Sequence, residues 1–426
     1  MKKFTALSLA MALVLSFALV GCGPKAPAEP TPGADATPET PEGEKVVLTM
    51  GSWRTDDVKQ MDALLAAYSE VAPNVEIQFQ PTNPPDYNAT LRLQLDGGTG
   101  PDLMYARSYA TGQELLDAGY FGDCSDIPGL MDNFTASNLA PWQSTDGRMF
   151  AVPFAAVSHA VYYNKDIFAA NKVEVPATWE DFMKVCETLK AAGVTPLANG
   201  LADEWDILEC FFLGMLPNYV GNAEARVAYE KGEKKLNDEA FVNAYTDIAG
   251  IKAYLPQGFE AVTYNDSQAL FNTQAAAMFV DGSWTAGVYA DAPFQWGVFA
   301  IPPRAGGTNV ITFHPDMAIT YNAATTHPDE AKAFLEWLCS EAGATEASKN
   351  LPVGYFPMIN FDITLADEHA NEFLALNKDK DTDARFVWPV LMDKYAPRNP
   401  ADIKVSKGEL PPPAAADSVQ DAVPAA

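Results

Sequence analysis

Two tryptophans stand where the chain could present a flat ring to a ligand. Trp284 follows the uncharged apolar run Ala275 to Val280 and the turn Asp281-Gly282-Ser283, and Trp205 follows the loop Asn199 to Glu204. An apolar run bounded by a Gly-containing turn predicts a strand buried on both faces. The turn beyond its carboxyl end is where open α/β sheets bind ligands, so Trp284 is either a core residue at a turn or one wall of a site. Trp53 and Trp388 are weaker candidates for such a wall. Arg54, Asp86, Arg107, Asn199, His314 and Asp316 supply polar groups, and Tyr109 stands beside Arg107. Each of the polar six reads equally as a solvated loop residue or a helix cap. Flat rings beside groups that donate and accept suit a solute with a C–H face and a hydroxyl edge, which describes a sugar. No nucleophile elbow, HExxH or Gly-rich phosphate loop is present. Asp86 and Asp316 stay open as a glycosidase-type acid pair, because sequence does not measure their separation.

The elements that must carry these residues alternate. Val46 to Met50 predicts a first strand, followed by a helix capped by Thr55 or Asp56 with apolar positions Val58, Met61, Leu64, Leu65, Tyr68 and Val71. Val75 to Phe79 predicts a second strand and Tyr87 to Asp96 a helix, stopped by Gly97-Gly98. Pro101 to Ala106 is a third strand, and Arg54, Arg107 and Tyr109 follow the first and third at the ligand-binding edge. This order predicts a parallel sheet with right-handed crossovers. Trp142 to Val152 reads as a hairpin about Thr145-Asp146-Gly147. A strand begins at His159. Thr178 and Asp181 form a capping-box pattern ahead of Phe182, Val185, Cys186 and Leu189. Val194 to Ala198 is the next strand, and a helix spans Asp238 to Leu255.

The ends and the composition bound the setting. Lys2 and Lys3 precede the apolar stretch Phe4 to Val20, which ends in Leu19-Val20-Gly21-Cys22. This reads as a secretion signal of the lipoprotein kind, similar to the bacterial lipobox, with acylation at Cys22. At ~0.8 kcal/mol per buried CH₂, several acyl chains hold a soluble domain at a membrane surface. Residues 23–44, rich in Pro, Ala, Thr and Glu, read as a disordered tether, and 404–426 as a disordered tail. About 360 residues lie between, enough for two domains. The formal net charge of −28 argues against nucleic acid and anionic lipid headgroups as partners. Beyond Cys22, the cysteines Cys124, Cys186, Cys210 and Cys339 form no metal-ligand spacing, and Cys186 and Cys339 read as core thiols.

YYNKDIF, PATWEDFMKVCETLKAAGVTPLANG and AAAMFVDGSW, in this order and at these separations, resemble the extracellular solute-binding proteins of ABC importers, in the family that includes the carbohydrate binders. The resemblance covers roughly residues 45–400. It implies an α/β, two-lobe periplasmic-binding-protein-like fold, each lobe a mostly parallel sheet flanked by helices, joined by a three-segment hinge. It also implies that the lobes close about that hinge when a ligand binds between them. Crossings are expected near Phe154 to His159, Thr312 to Asp316 and Leu351 to Phe356. Residues 45–155 and 316–350 would form one lobe, and 160–310 with 358–403 the other.

In carbohydrate-binding members the aromatic matching Trp284 commonly stacks on a sugar ring, and one matching Trp205 often joins it. The resemblance therefore implies a monomeric, non-catalytic receptor with no cofactor or metal, lipid-anchored on the extracellular face of the cell membrane, or periplasmic where the host has an outer membrane. Its partners would be a carbohydrate and the permease subunits. Alternatives are a non-sugar solute (amino acid, polyamine or metal) or a secreted carbohydrate-active enzyme. Tyr162-Tyr163 mimics a ferric-ion pair, but strand alternation puts the rings on opposite faces and favours core packing. Asp379, Asp381 and Asp383 mimic a calcium loop that lacks its Gly and Glu, with Ala384 and Val390 in their places. Trp284 is expected to be partly exposed.

Overall fold

A computed structural model describes residues 45–361, 365, 367–377, 380–383 and 395–422. Cys22, the leader and the tether, and also Asp379 and Trp388, lie outside these residues. The first half follows the predicted alternation: β1 Val46–Ser52, α1 Val58–Val71, β2 Val75–Pro81, α2 Tyr87–Asp96, β3 Leu103–Ala106 and α3 Tyr109–Asp117. Met61, Leu64, Leu65 and Tyr68 recur at helical spacing and are the buried face of α1. Its N-cap is Asp57, not Thr55 or Asp56, and that side chain makes no capping bond. Arg54 has taken it instead.

The sheet is mixed where a mostly parallel one was expected. Strand order is β2-β1-β3-β8-β4-β6-β5, with β4 Val152–Asn164, β5 Thr195–Leu197, β6 Ala276–Gly282 and β8 Val310–Tyr321. β1 pairs in parallel with β2 and β3, and β5 with β6, whereas β4 and β8 run antiparallel to each other and to β6 and β3 respectively. The cause is length: β4 starts at Val152, well before His159, and serves both halves. Its Val152–Ser158 portion pairs with β8 and its His159–Tyr163 portion with β6. Register shifts follow Pro153 and Ala155, and Pro153 has no amide hydrogen to give the ladder. β7 Trp296–Phe299 and β9 Phe356–Pro357 pair with β4, and β10 Asp381–Asp383 with β8. The hairpin expected at Thr145 to Gly147 is a single bridge, Gln143 to Met149.

Buried side chains divide along the same line. One core gathers Leu48 to Val157 with Met317 to Met358. The other side holds two clusters that begin at Ala160 and Val161. β6 is buried at every residue, as its continuous apolar run predicts for a strand between two neighbours. Tyr162 and Tyr163 enter different clusters, so the pair packs as alternation requires. Cys124, Cys186, Cys210 and Cys339 are buried, and none is in a disulfide.

The expected disorder of 404–426 is corrected for the described residues 404–422. Helix Tyr395–Ser406 is followed by helix Pro412–Asp421, whose Ala415, Ala416 and Val419 are buried in the second half's core. Asn237 donates to Asp417 at 2.8 Å, and the Leu236 amide to Gln420 at 2.7 Å. Pro412 sits in the first turn, where its missing amide costs nothing. Alanine then lets helix Glu239–Gly250 approach closely, an interface built from small residues that composition alone reads as unfoldable.

Candidate ligand-binding site

Loop Asn199 to Trp205 is built around a buried carboxylate. Asp206 accepts from Asn199 Nδ2 at 2.7 Å, the Gly200 amide at 2.9 Å and Ser267 Oγ at 2.6 Å. Burial pushes its pKa up to about 8 against those three donors. Asn199 also donates to the Val280 carbonyl and accepts from the Val280 amide, so the loop is stitched to β6. Asn199, expected as a polar ligand contact, is thus fully buried, its amide committed to Asp206 and Val280. What the loop presents is Trp205, which is partly exposed.

Trp205 lies against Tyr264, ring centroids 4.1 Å apart. Tyr264 opens helix Tyr264–Asn272, whose capping box of Thr263 and Asp266 fixes that first turn. Its phenol accepts from Trp284 Nε1 at 2.7 Å and donates to Asp281 Oδ2 at 2.7 Å. Thr285 Oγ1 lies 2.7 Å from the same phenol oxygen and donates to the same carboxylate oxygen. Burial raises Asp281 to about 6. Tyr264 therefore joins the two tryptophans, and the sequence reading missed it. The only available signal was its place at the start of a well-capped helix.

Trp284 is half-buried, set edge-on to His159 at 5.3 Å, and packs against the first half's core although β6 belongs to the second. The residue before it makes the matching connection. Ser283 Oγ accepts the Ser158 amide at 2.9 Å, from the middle of β4, and donates to the Gly354 carbonyl. Gly354 has φ +86°, and a β-carbon there would stand 1.8 Å from the Ser283 carbonyl oxygen. Glycine is required by both conformation and space.

The first half contributes a second group at the carboxyl ends of β1 and β3. Trp53 is 4% exposed, with Tyr87 and Tyr105 edge-on and the Arg107 guanidinium 3.7 Å over its ring. This cation–π contact leaves little of Trp53 open to a solute. Arg54 is gripped bidentately by Asp57 at 2.5 and 2.8 Å and lies over Tyr355. Tyr109 is partly buried and takes φ +57°, a conformation of about 1 kcal/mol cost for a side chain of this kind. His314 and Asp316, both buried on β8, are 3.9 Å apart. Asp86 is exposed in the turn Pro84–Asp86 and meets Asn83 at 3.5 Å. Among the described contacts Asp86 meets none of the other candidates.

Asp381 and Asp383, from the calcium-like run, are held by Asn222 and Arg226 in β10. An open groove of about 1020 Å³ lies elsewhere, between α1 and helix Glu341–Asn350. Ala63, Ala66 and Ala67 line it with Glu70, Glu341 and Glu346. None of the candidate site residues lines it, whereas the aromatic group carries convergent polar contacts.

Comparison with known proteins identifies the family. Residues 51–345 match the family described as bacterial extracellular solute-binding protein. A multiple sugar-binding protein of Streptococcus mutans is 26% identical over 345 residues, covering 78% of this chain and 79% of that one. A solved structure from work on xylan utilization by the thermophilic bacterium Caldanaerobius polysaccharolyticus superposes with TM-score 0.78 at 19% identity, covering 89% of this chain and all of the other. The solute-binding protein RafE in complex with raffinose superposes with TM-score 0.72 at 20% identity, covering 88% and 98%. These structures share the two-lobe α/β fold. The chain belongs to the family of bacterial extracellular solute-binding proteins.

Proposed function

We propose that this protein captures a sugar or oligosaccharide between two lobes and delivers it to the membrane subunits of an ABC importer. The observation that carries the reading is the aromatic array Trp205, Tyr264 and Trp284, set at the carboxyl ends of the second half's strands and leaning on the first half's core. Rings of this kind suit the C–H face of a pyranose, and the similarity to a multiple sugar-binding protein points the same way.

Residues 45–155 with 316–350 form one lobe in this reading and 160–310 with 358–403 the other, helix Pro412–Asp421 adding to the second. Trp284 and Trp205 are the stacking surfaces. Arg107, Tyr109, Asp316 and His314 supply polar contacts from the facing side, with Arg54 and Trp53 holding that side in shape. The protein works as a non-catalytic monomer, needs no cofactor, and is held at the extracellular face of the membrane by acyl chains on Cys22.

A thermal-shift screen tests this, because a ligand that binds only the folded state raises the melting temperature. The panel includes raffinose, maltotriose and xylotriose beside amino acids, polyamines and divalent metals. A rise confined to carbohydrates is expected. Rises only among the other classes would overturn the sugar reading, and sugar products formed above one equivalent of protein would overturn the non-catalytic one.

A further inference from the structure

We propose that Tyr264 is a positioning residue that occupies the indole N–H of Trp284, so that Trp284 meets its ligand by the ring face alone. The inference rests on the sugar-binding reading for its consequence but on geometry for its substance. The single indole donor of Trp284 points at the Tyr264 oxygen at 2.7 Å. The phenol in turn donates to Asp281 at 2.7 Å, with Thr285 Oγ1 also 2.7 Å from its oxygen. Gln268 Nε2 donates to Thr285 at 3.0 Å, and Thr285 donates to Asp281, so the phenol cannot swing away without breaking a buried network.

Two consequences follow for the ligand. An indole has one donor and no acceptor. With that donor used inside the protein, Trp284 offers no hydrogen bond to a hydroxyl, and its selectivity is for a solute presenting a broad C–H face. Tyr264 is also fixed against Trp205, with centroids 4.1 Å apart. One residue thereby sets the angle between both candidate walls, and a change in its hydroxyl alters the shape that the pair can grip. The site's preference is for pyranoses with a continuous apolar face, over solutes recognised by hydrogen bonds from tryptophan.

The test starts without ligand. In the intact protein, the indole N–H resonance that vanishes in Trp284→Phe identifies Trp284, and its hydrogen exchange is expected to be at least about 100-fold slower than that of a free indole. Exchange at the free rate would overturn the proposal, whether or not any sugar binds. The second arm is a double-mutant cycle. Tyr264→Phe keeps the ring against Trp205 and removes only the hydroxyl. It is expected to weaken binding of the best sugar in the panel about tenfold when residue 284 is Trp, and less than about twofold in the Trp284→Phe background, where no indole N–H exists to position. Equal losses in the two backgrounds, or no loss in either, would show that Tyr264 does not act through Trp284. Failure of every sugar to bind would sink the functional reading and leave the exchange measurement to decide this one.

Discussion

The indole of Trp284 lies across the backbone of Gly282, so close that a β-carbon on residue 282 would stand 1.9 Å from ring atom Cζ3. Any side chain at 282 must push the ring off its seat. Gly282→Ala is therefore expected to weaken sugar binding at least tenfold, or about 1.4 kcal/mol, with the fold retained. Trp284→Ala should cost about 100-fold, as removal of a central aromatic contact does. Isothermal titration calorimetry reads both, and unchanged affinity in Trp284→Ala would remove this ring from the site.

Ser283 links β4 to the segment around Gly354 through one hydroxyl. In Ser283→Ala, a buried amide and a buried carbonyl lose their partner together. The expected cost is about 2–4 kcal/mol in urea unfolding. If these two segments are hinge crossings, ligand-induced shrinkage of the radius of gyration in solution scattering should also fall. A variant that loses stability yet closes normally would make Ser283 a structural tie and nothing more.

Lowering the pH from 8 to 5 should stabilise this fold. Asp206 rises to about 8 and Asp281 to about 6, both because burial disfavours the charged form, whereas an unfolded Asp titrates near 4. Between those values the native state holds protons that the unfolded chain has released, so these two groups' stabilising contribution is complete below about pH 4 and is lost as pH rises through 6 and then 8. Denaturant midpoints of the wild type should therefore fall from pH 5 to pH 8, and Asp206→Asn should flatten the upper part of that slope. An identical slope in the variant would show that Asp206 keeps its ordinary pKa.

Deleting residues 411–426 should destabilise the second half. The helix Pro412–Asp421 buries Ala415, Ala416 and Val419 and makes two side-chain hydrogen bonds to Leu236 and Asn237. Together these contribute on the order of 2–4 kcal/mol. Thermal unfolding checks it, and an unchanged melting temperature would return this segment to a dispensable tail.

The sequence carried the elements whose signal is local. Helix Trp179–Ala191 was legible because Thr178 caps it, its side chain accepting the Asp181 amide at 3.2 Å. β6 was legible because a central strand is apolar throughout. What stayed hidden depends on distant partners. β4 read as starting only at His159 because Pro153 interrupts its pattern, and pairing with β8 carries it back to Val152. Asn199 and Tyr264 exchanged roles for a related reason: a polar loop residue turned inward to hold β6, while a helix-start tyrosine turned toward a tryptophan twenty positions on. The tail misled because alanine packs by closeness rather than by hydrophobic bulk.

That last helix has a practical consequence. Val46 enters β1 on the first half's core, while Val419 closes onto the second. Fluorophores attached at the two ends of the described chain would ride on different halves. Energy transfer between them would report occupancy in real time, with no residue of the site altered to obtain the signal.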